Sequence, residues 1–320
     1  MSSERSPMHY DVIIVGAGPA GLSAAAFAAR RKLKTLVLEA ANKAGGKPVN
    51  MYGTKIVEDF IGFPEGVKGE EVGKALLRQA EKFGAEIRCD SRVSRVLTLN
   101  KEKLIETEDG ETYRAKAVII ATGSHSKNFV GGIEGEKKFR NKGVSYALSN
   151  PSSMKGKKVL VVGGGETAVE TALALRDIAK EVHLAHRRDS FRADEILVEK
   201  LKKSNINILY NSRVVKIKGN KTVTSATLQN TKTGEQTELS VDQIIFCIGS
   251  IPASEILKDL NVQVDKNGVI VVDCDQKTSV EGIFAAGDVA GGAMRISTAI
   301  GEGIKAALSA YKYIRQPYWA

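Results

Sequence analysis

Cysteine is scarce in this 320-residue sequence, and the three that occur, Cys89, Cys247 and Cys274, form no Cys-x-x-Cys pair. Their dispersion predicts neither a disulfide framework nor a zinc site, and no metal site is expected. Buried thiols are their expected role. The sequence also lacks an apolar run near the roughly 20 residues that cross a bilayer, and its first residues include no apolar stretch of signal-peptide length. We therefore expect no membrane association and a cytoplasmic location.

Acidic residues are also few relative to basic ones, with 37 Asp and Glu against 47 Lys and Arg and a formal net charge of +10 at pH 7. A basic surface favours an acidic partner. Nucleic acid is not the expected partner, because the basic residues are scattered and form no arm or recognition motif. The 31 glycines and the 42% of hydrophobic residues are typical of a globular protein in which many backbone positions require glycine. The length is sufficient for two domains that each bury a core.

A glycine-rich turn near the start joins an apolar strand over 10–15 to an alanine-rich helical pattern over 22–31. The turn is Gly16-Ala-Gly18-Pro-Ala-Gly21, and a second strand over 35–38 ends on Glu39. This order is typical of a dinucleotide-binding unit. The first glycine allows the tight turn, the second lets a pyrophosphate approach the backbone, and the third allows close packing of the helix. The Glu39 carboxylate can accept hydrogen bonds from a ribose without a 2′-phosphate, which both FAD and NAD provide.

The same unit returns in the second half of the chain, with a strand over 158–162, the turn Gly163-Gly-Gly165-Glu-Thr-Ala168, a helix through Leu175 and a strand over 181–184. The end of that second strand carries no acid but His186-Arg187-Arg188-Asp-Ser-Phe-Arg192. Guanidinium groups at this place can bind a 2′-phosphate through paired, charge-assisted hydrogen bonds, which favours NADPH over NADH. We expect His186 to support the loop rather than to take part in catalysis.

Each nucleotide unit is followed by a three-stranded meander, with turns at Asp109-Gly110 and Thr233-Gly234. Each meander leads into an apolar strand ending in glycine, and after the second come a short strand-like run and a last helical pattern with no nucleotide unit of their own. The simplest topology inserts the second domain into the first. We therefore predict an α/β fold of two Rossmann-like, three-layer ββα dinucleotide-binding domains, one over 8–122 and 250–320 and the other, inserted, over 123–249.

The short run Gly282-Ile-Phe-Ala-Ala-Gly-Asp288 ends on a carboxylate suited to hydrogen-bond a polyhydroxyl chain such as the ribityl chain of a flavin. The helix after it is predicted to begin around Ser297-Thr298, whose hydroxyls are good N-caps, and to run to Ile314. Its positive end can stabilise negative charge on a reduced flavin. Hydride transfer from nicotinamide to flavin requires stacking and orientation but no protein acid or base. No catalytic triad is therefore expected.

In order and spacing, the motifs resemble those of the low-molecular-weight thioredoxin reductases over essentially the whole chain. They are Gly16-Ala-Gly-Pro-Ala-Gly21, Gly45-Gly46, Gly62-Phe-Pro64, Ala121-Thr-Gly123, Gly163-Gly-Gly-Glu-Thr-Ala168, His186-Arg-Arg-x-x-x-Arg192 and Gly282-Ile-Phe-Ala-Ala-Gly-Asp288. The resemblance implies FAD bound by 8–122 and 250–320, NADPH bound by the inserted 123–249, a homodimer, and a rotation of one domain against the other during turnover.

The resemblance also implies two sets of cofactor-binding residues. For FAD these are Gly16, Gly18, Pro19, Ala20, Gly21, Glu39, Gly45, Gly46, Thr122, Gly123, Gly287, Asp288 and Ser297. For NADPH they are Gly163, Gly165, Glu166, Thr167, Ala168, His186, Arg187, Arg188 and Arg192.

One departure from that family concerns its redox-active cysteines. Members with disulfide activity carry Cys-Ala-Thr-Cys after a Gly-Val-Ser-Tyr stretch, whereas here Gly143-Val-Ser-Tyr146 is followed by Ala147-Leu-Ser-Asn150. Reduction of thioredoxin by the family's dithiol mechanism is therefore excluded. The Gly-Pro-Cys-Gly variant of bacillithiol disulfide reductases is also missing, because Ala20 stands at that point.

Without the dithiol, this sequence resembles one branch of the superfamily, the thioredoxin-reductase-type ferredoxin:NADP+ reductases. The loop between Gly45-Gly46 and Gly62-Phe-Pro64 has the longer length found in those enzymes and places Tyr52 where they stack a tyrosine on the isoalloxazine. Those enzymes also tend to have a C-terminal extension with a ring over the other flavin face. The tail here is short, and its Trp319 is expected to be a packing or dimer-interface residue.

The sequence therefore favours an NADPH-dependent FAD enzyme that passes electrons to a small acidic carrier such as ferredoxin or flavodoxin. The alternatives are an NAD(P)H oxidase or diaphorase that reduces dioxygen, quinones or iron, and a thioredoxin reductase-like protein with an unknown acceptor. A redox-inactive protein that binds FAD or NADPH as a signal is a further alternative from another functional class.

Overall fold

The computed structural model describes residues 7–53, 55–148 and 150–319. The chain divides into two compact units. The outer unit consists of the residues up to His125 together with those from Ile251 onward, and the inner unit is Ser126–Ser250. The inner unit is thus an insertion in the chain of the outer one.

The described residues form helices and strands that we number in chain order. The helices are α1 (Pro19–Arg30), α2 (Lys47–Asn50), α3 (Gly69–Lys82), α4 (Glu136–Phe139), α5 (Glu166–Leu175), α6 (Glu195–Lys202) and α7 (Ile296–Arg315). The strands are β1 (Met8–Val15), β2 (Thr35–Leu38), β3 (Ile56–Val57), β4 (Val67–Lys68), β5 (Glu86–Arg88), β6 (Val93–Leu99), β7 (Glu102–Thr107), β8 (Thr112–Ile120), β9 (Ser124–Ser126), β10 (Val144–Ser145), β11 (Lys158–Gly163), β12 (Glu181–Ala185), β13 (Asn207–Leu209), β14 (Ser212–Gly219), β15 (Val223–Asn230), β16 (Gln236–Ser240), β17 (Gln243–Cys247), β18 (Ser250–Pro252) and β19 (Ile283–Ala285).

The outer unit is built on a parallel sheet in the order β5-β2-β1-β8-β19. Side chains that alternate along β1 enter two different cores: Val12 and Ile14 pack with α1 and α7, whereas Ile13 and Val15 pack with the meander strands β6 and β7. A strand that is buried on both faces has a continuous apolar sequence rather than an alternating one. The predicted three-layer arrangement of meander, sheet and helices is therefore confirmed in this unit.

Small residues allow α1 and α7 to approach each other closely. The Ser23 hydroxyl on α1 donates a hydrogen bond to the Ile300 carbonyl oxygen on α7 at 3.1 Å. A Cβ on Gly303 would overlap the carbonyl oxygen of Ala20. The alanine-rich pattern of α1 thus reflects helix packing, in which the apolar surface of α1 is covered by α7 and α3.

The inner unit repeats this layering. Its parallel sheet has the order β10-β17-β11-β12-β13, and the antiparallel β14-β15-β16 forms a separate meander. Along β11, Val159 and Val161 pack with α5 and α6, whereas Leu160 packs with the meander. Both domains are therefore Rossmann-like with the ββα layers predicted from the sequence.

The two predicted meander turns occur where expected, since Asp109-Gly110 connects β7 to β8 and Thr233-Gly234 connects β15 to β16. Gly110 and Gly234 have φ values of 87° and 77°, a left-handed conformation that favours glycine.

One prediction was wrong, because in the outer unit the third meander strand and the apolar strand that follows it are a single strand, β8. Its burial alternates over the first half, where it pairs with β7, and becomes continuous over the second half, where it pairs with β19. In the inner unit the corresponding β16 and β17 remain separate strands.

None of the helices in the described part of the chain combines the length and apolar character that a bilayer crossing requires. Among the same residues, no group of three or more His, Cys, Asp or Glu side chains is arranged to hold a metal ion.

Candidate functional site

The first glycine-rich turn lies at the start of α1. Gly16 has a φ of +103°, and a Cβ on it would overlap the Ala121 carbonyl oxygen, whereas a Cβ on Gly21 would overlap the Gly16 carbonyl oxygen. These two glycines are required by the packing of the turn itself. Gly18 differs, since a Cβ there would approach nothing closer than Gly46 Cα at 3.8 Å.

Gly18 is the N-cap of α1 in extended conformation, Pro19 follows at the first turn, and no side chain caps the helix. The helix start therefore has no side-chain cap, and Gly18 places no side chain beside its backbone N–H groups, the arrangement that binds a pyrophosphate. The residues fit the diphosphate of a dinucleotide such as FAD.

Glu39 anchors this turn from the end of β2. Its carboxylate oxygens accept hydrogen bonds from the N–H groups of Ala17 at 2.7 Å and Ala41 at 2.8 Å. Each oxygen retains a lone pair for a ribose hydroxyl, and the side chain is half-exposed. The Gly45 N–H donates to the Ala17 carbonyl oxygen at 2.8 Å, which holds the Gly45-Gly46 pair against the same turn.

The segment at Gly287-Asp288 lies against α1. A Cβ on Gly287, which has a φ of +79°, would come within 3.0 Å of Ala20 Cβ. The Asp288 carboxylate accepts hydrogen bonds from the Ser124 hydroxyl at 3.0 Å and from the Lys47 ammonium at 2.6 Å. Packing thus joins the predicted ribityl carboxylate to the predicted pyrophosphate turn.

Thr122 and Gly123 connect β8 to this cluster. The Thr122 hydroxyl donates to the Ala253 carbonyl oxygen at 2.6 Å, and the Ala253 N–H donates to the Gly123 carbonyl oxygen at 3.0 Å. These bonds hold the residue after them, Ser124, in reach of Asp288.

Three residues of this cluster, Lys47, Ser124 and Glu302, were not predicted. Glu302 accepts a hydrogen bond from the Gly287 N–H at 2.7 Å, and burial together with the Asp288 charge raises the pKa of its carboxyl. Lys47 directly follows the Gly45-Gly46 motif and Ser124 directly follows Gly123, and this adjacency is the signal that could have identified them.

The predicted N-cap of α7 was wrong. The helix begins at Ile296 after an N-cap at Arg295, and the Thr298 hydroxyl reaches back to donate to the Arg295 carbonyl oxygen at 2.9 Å. Ser297 lies within the first turn, and its buried hydroxyl has no hydrogen-bond partner among the described residues. Because a buried hydroxyl without a partner is costly, this orphaned group fits a ligand that bonds to it.

Tyr52 lies in the turn after α2 and is half-exposed, with the Lys55 ammonium 5.4 Å from its ring centroid. Trp319 packs at the C-terminal ends of α1 and α7. Its ring stacks on Tyr311 with centroids 6.0 Å apart, and the Arg31 guanidinium lies 5.3 Å from its centroid. Trp319 therefore has a packing role within the outer unit.

The second glycine-rich turn, in the inner unit, repeats the geometry of the first. A Cβ on Gly163 would overlap the Cys247 carbonyl oxygen, whereas a Cβ on Gly165 would meet nothing within 4 Å. Gly165 is the extended N-cap of α5, no side chain caps the helix, and its first turn is Glu166-Thr167-Ala168. The turn fits a second dinucleotide diphosphate for the same reasons as the first.

His186 closes one side of this turn. A Cβ on Gly164 would overlap the His186 ring, which is 7% exposed and stacks on Phe191 at a centroid distance of 5.4 Å. Burial, with the positive charge of neighbouring arginines, lowers the pKa of His186. The imidazole is thus a neutral packing group at pH 7.

The three predicted arginines, Arg187, Arg188 and Arg192, are exposed beside the turn. The Arg192 N–H donates to the Gly164 carbonyl oxygen at 2.8 Å, which ties the arginine segment to the glycine turn. The nearby Asp189 pairs with Lys232 at 2.9 Å. Within the described ranges, no carboxylate lies within 4.0 Å of the three guanidinium groups, so they are available to an anionic ligand.

The cysteines form no disulfide. Cys247 contacts the Thr171 hydroxyl at 3.7 Å, and burial raises the pKa of its thiol to about 11. Burial and the Glu39 charge also raise the pKa of Cys89, whereas Cys274 is exposed. The Asn150 side chain accepts the Ser152 N–H at 3.0 Å and caps the short turn Pro151–Met154.

Comparison with known proteins gives a consistent result over the whole chain. The family model for pyridine nucleotide-disulphide oxidoreductase matches residues 10–303. Thioredoxin reductase of Treponema pallidum (strain Nichols) is 39% identical over 310 residues, which cover 95% of this chain and 97% of the relative. Thioredoxin reductase of Bacillus subtilis (strain 168) is 38% identical over 320 residues, which cover 99% and 97%. The crystal structure of Lactococcus lactis thioredoxin reductase superimposes with a TM-score of 0.89 at 36% identity, covering 96% of this chain and 100% of that one.

Proposed function

We propose that this chain, which belongs to the pyridine nucleotide-disulphide oxidoreductase family, delivers electrons from NADPH to a small acidic one-electron carrier, such as ferredoxin or flavodoxin, without using a thiol. Its cofactors are FAD and NADPH. When bound, FAD accepts a hydride from NADPH and releases electrons singly. The protein's own residues bind and orient the two cofactors.

The observation that carries this proposal is that the two positions of the family dithiol hold no cysteine and that the Cys247 thiol is buried. Ala147 and Asn150 have no sulfur, and the Asn150 side chain is engaged in capping the turn after it. The Cys247 thiol, with a pKa of about 11, is a poor nucleophile at neutral pH. The proposal therefore assigns no thiol of this chain to the transfer of electrons to the acceptor.

In this proposal the outer unit holds FAD. The N–H groups at the start of α1, beside Gly18, bind the pyrophosphate, and Glu39 binds the adenosine ribose. Asp288 binds the ribityl chain. The Ser297 hydroxyl, which has no hydrogen-bond partner among the described residues, bonds to the cofactor. Tyr52 would stack on the isoalloxazine and exclude water from that face.

The inner unit holds NADPH. The N–H groups at the start of α5 would bind its diphosphate, and Arg187, Arg188 and Arg192 would bind the 2′-phosphate. The exposure of these three side chains and the lack of a carboxylate beside them in the described ranges support this assignment. The net charge of +10 supports an acidic carrier. A homodimer in the cytoplasm belongs to the same proposal.

The test uses a variant with Cys89→Ser, Cys247→Ala and Cys274→Ser, in which FAD content and folding are verified first. We expect this variant to retain NADPH-dependent reduction of ferredoxin or flavodoxin within about twofold of the parent. The rate with the acidic carrier should fall as salt rises, because attraction is screened over about 10 Å at 0.1 M. Ferricyanide, which is also an anion, serves to separate a protein partner from simple anion attraction.

The printed names of the relatives favour reduction of thioredoxin as a second candidate function. The parent protein is therefore assayed with thioredoxin and NADPH beside the cysteine-free variant. Thioredoxin reduction by the parent that disappears in the FAD-loaded variant contradicts the proposal and establishes a thiol mechanism. Turnover that consumes dioxygen at the same rate with or without any carrier contradicts it in favour of an oxidase.

A further inference from the structure

We propose that Lys47 is a positioning residue for the flavin: its ammonium group fixes Asp288 and offsets the negative charge around it, so that FAD binds more tightly and is reduced more easily. The proposal rests on the assignment of Asp288 to the FAD site under the proposed function. It does not depend on the identity of the electron acceptor.

Three side chains from distant parts of the chain meet at this point of the outer unit. The Lys47 ammonium lies 2.6 Å from an Asp288 carboxylate oxygen and donates to the Ser124 hydroxyl at 2.7 Å. The Ser124 hydroxyl donates to the same carboxylate oxygen at 3.0 Å. The Lys47 and Asp288 side chains are 34% and 18% exposed, so the pair is partly withdrawn from solvent and more effective than an exposed surface pair.

Lys47 is tied by its backbone to the turn assigned to the pyrophosphate. It follows Gly46, on which a Cβ would lie 2.7 Å from Gly18 Cα, and Gly45 bonds to Ala17 in the same turn. Lys47 thus joins the pyrophosphate turn to the ribityl carboxylate. An ammonium group has three N–H donors, and among the described residues only Asp288 and Ser124 accept from it. One donor is therefore available to a ligand.

The charges around the site explain why a cation is useful there. Glu302, bonded to the Gly287 N–H, brings a second carboxylate beside Asp288. Lys47 is in direct contact with Asp288, whereas the charge of Lys305 acts on Glu302. Reduced FAD carries one more negative charge than oxidised FAD at neutral pH. Because like charges repel more strongly in a site of low dielectric, loss of Lys47 disfavours reduced FAD more than oxidised FAD.

A purely structural role for Lys47 makes a different prediction. An ion pair that only orders the segment after Gly46 would change the melting temperature and the affinity for both forms of FAD equally. The midpoint potential of bound FAD reports the ratio of the two affinities, so a structural role leaves the potential unchanged.

The experiment compares FAD-loaded parent protein with Lys47→Gln, which keeps a hydrogen-bond donor but removes the charge, and Lys47→Arg, which keeps the charge. The matched control is Lys116→Gln, because Lys116 pairs with Asp11 at 2.7 Å elsewhere in the same unit. The measurements are the Kd for FAD from reconstitution of the apoprotein and the midpoint potential from a spectroscopic redox titration without any electron acceptor protein.

We expect Lys47→Gln to weaken FAD binding at least threefold and to lower the ratio of affinities for reduced over oxidised FAD about tenfold, which for a two-electron couple lowers the potential by about 30 mV. Lys47→Arg should restore both values to within twofold, and Lys116→Gln should leave both unchanged. If Lys47→Gln does not retain FAD, retention of FAD at the parent's potential by Lys47→Arg supports the proposal.

An unchanged potential in Lys47→Gln overturns the proposal, as does loss of FAD from both Lys47 variants. Asp288→Asn tests the assignment of Asp288 to the FAD site separately. If it leaves the Kd for FAD unchanged, the assignment of Asp288 has failed and the inference about Lys47 falls with it. Failure to reduce ferredoxin or flavodoxin, in contrast, contradicts only the proposed acceptor.

Discussion

Glu302 accepts a hydrogen bond from the backbone N–H of Gly287 at 2.7 Å, and so places a half-buried carboxylate beside Asp288. Burial first, and the Asp288 charge second among the unfavourable contributions, raise the pKa of Glu302 above its ordinary value, although the bond from Gly287 opposes them. Folding therefore makes Glu302 harder to ionise. This contact connects the start of the last helix to the candidate flavin site.

The first prediction concerns this contact. Because the folded-state pKa of Glu302 is raised, the folded state is favoured most at acid pH, and stability is lost as pH rises through the folded pKa. Glu302→Gln keeps an acceptor for the Gly287 N–H and removes the charge. We expect the variant to equal the parent near pH 4 and to be more stable than the parent at pH 8, where Glu302 of the parent is ionised.

Melting temperatures of the FAD-loaded proteins between pH 4 and pH 8 provide the measurement. Glu302→Ala, which removes both acceptor and charge, is the control. If Glu302→Gln is less stable than the parent at pH 8, the hydrogen bond from the Gly287 N–H to the charged carboxylate stabilises the fold more than repulsion from Asp288 destabilises it.

The second prediction concerns coenzyme choice. Each charge-assisted contact to the 2′-phosphate is worth about 1.5–3 kcal/mol. Arg187→Ala with Arg188→Ala should therefore raise the KM for NADPH at least tenfold and leave the KM for NADH little changed, as measured by steady-state kinetics with ferricyanide. The control is Arg213→Ala, since Arg213 is exposed in the same unit and bonds to Gln229. Equal loss with both coenzymes would mean that the arginines are structural.

The third prediction concerns the contact between Gly164 and the His186 ring. A Cβ on Gly164 would overlap that ring, although the backbone conformation of Gly164 is open to any residue. Gly164→Ala should therefore destabilise the protein by about 1–3 kcal/mol through overpacking. Combining it with His186→Ala removes the obstacle, so the double variant should be less destabilised than the sum of the two single variants.

Urea unfolding followed by circular dichroism measures the three free energies of the cycle. Gly165→Ala is the matched control for the turn, because a Cβ there meets nothing within 4 Å. Strict additivity of Gly164→Ala and His186→Ala would contradict the packing role of the ring.

The fourth prediction concerns thiol reactivity. Burial raises the pKa of Cys247 to about 11, so roughly one thiol in a thousand is ionised at pH 8. In the folded protein Cys247 should react with iodoacetamide at least a hundredfold more slowly than the exposed Cys274, as measured by peptide mass spectrometry over time. Labelling in denaturant, where both thiols should react alike, is the control. Comparable rates in the folded protein would reopen a role for Cys247.

The repeated nucleotide units were predictable because short-range patterns define them. The strand over 35–38 was predicted with the bounds that β2 has, and both glycine-rich turns precede helices as expected. Gly16 has a φ of +103°, a backbone conformation that favours glycine. Such a local requirement can be recognised in the sequence without knowledge of distant contacts.

The contacts that complete the candidate FAD site were not predictable in the same way. Lys47 and Asp288 are 241 residues apart, and no local pattern indicates that their side chains meet. The start of α7 was predicted at its hydroxyl residues because Ser and Thr are common N-caps, but Thr298 acts from within the first turn and Arg295 precedes the helix. The single strand β8 was divided in the prediction because its burial pattern changes halfway along it.

The pairing of β8 has a consequence for how the protein is made. One edge of β8 pairs with β7 at Lys103–Glu106, and the rest of that edge pairs with β19, which the ribosome synthesises only after the whole inner unit. Until β19 and α7 emerge, the edge of Val118–Ile120 opposite β1 and the face of α1 that packs on α7 lack their native partners. The inner unit, whose strands are contiguous in the chain, can complete its sheet first. We therefore expect co-translational folding to complete the inner unit before the outer unit.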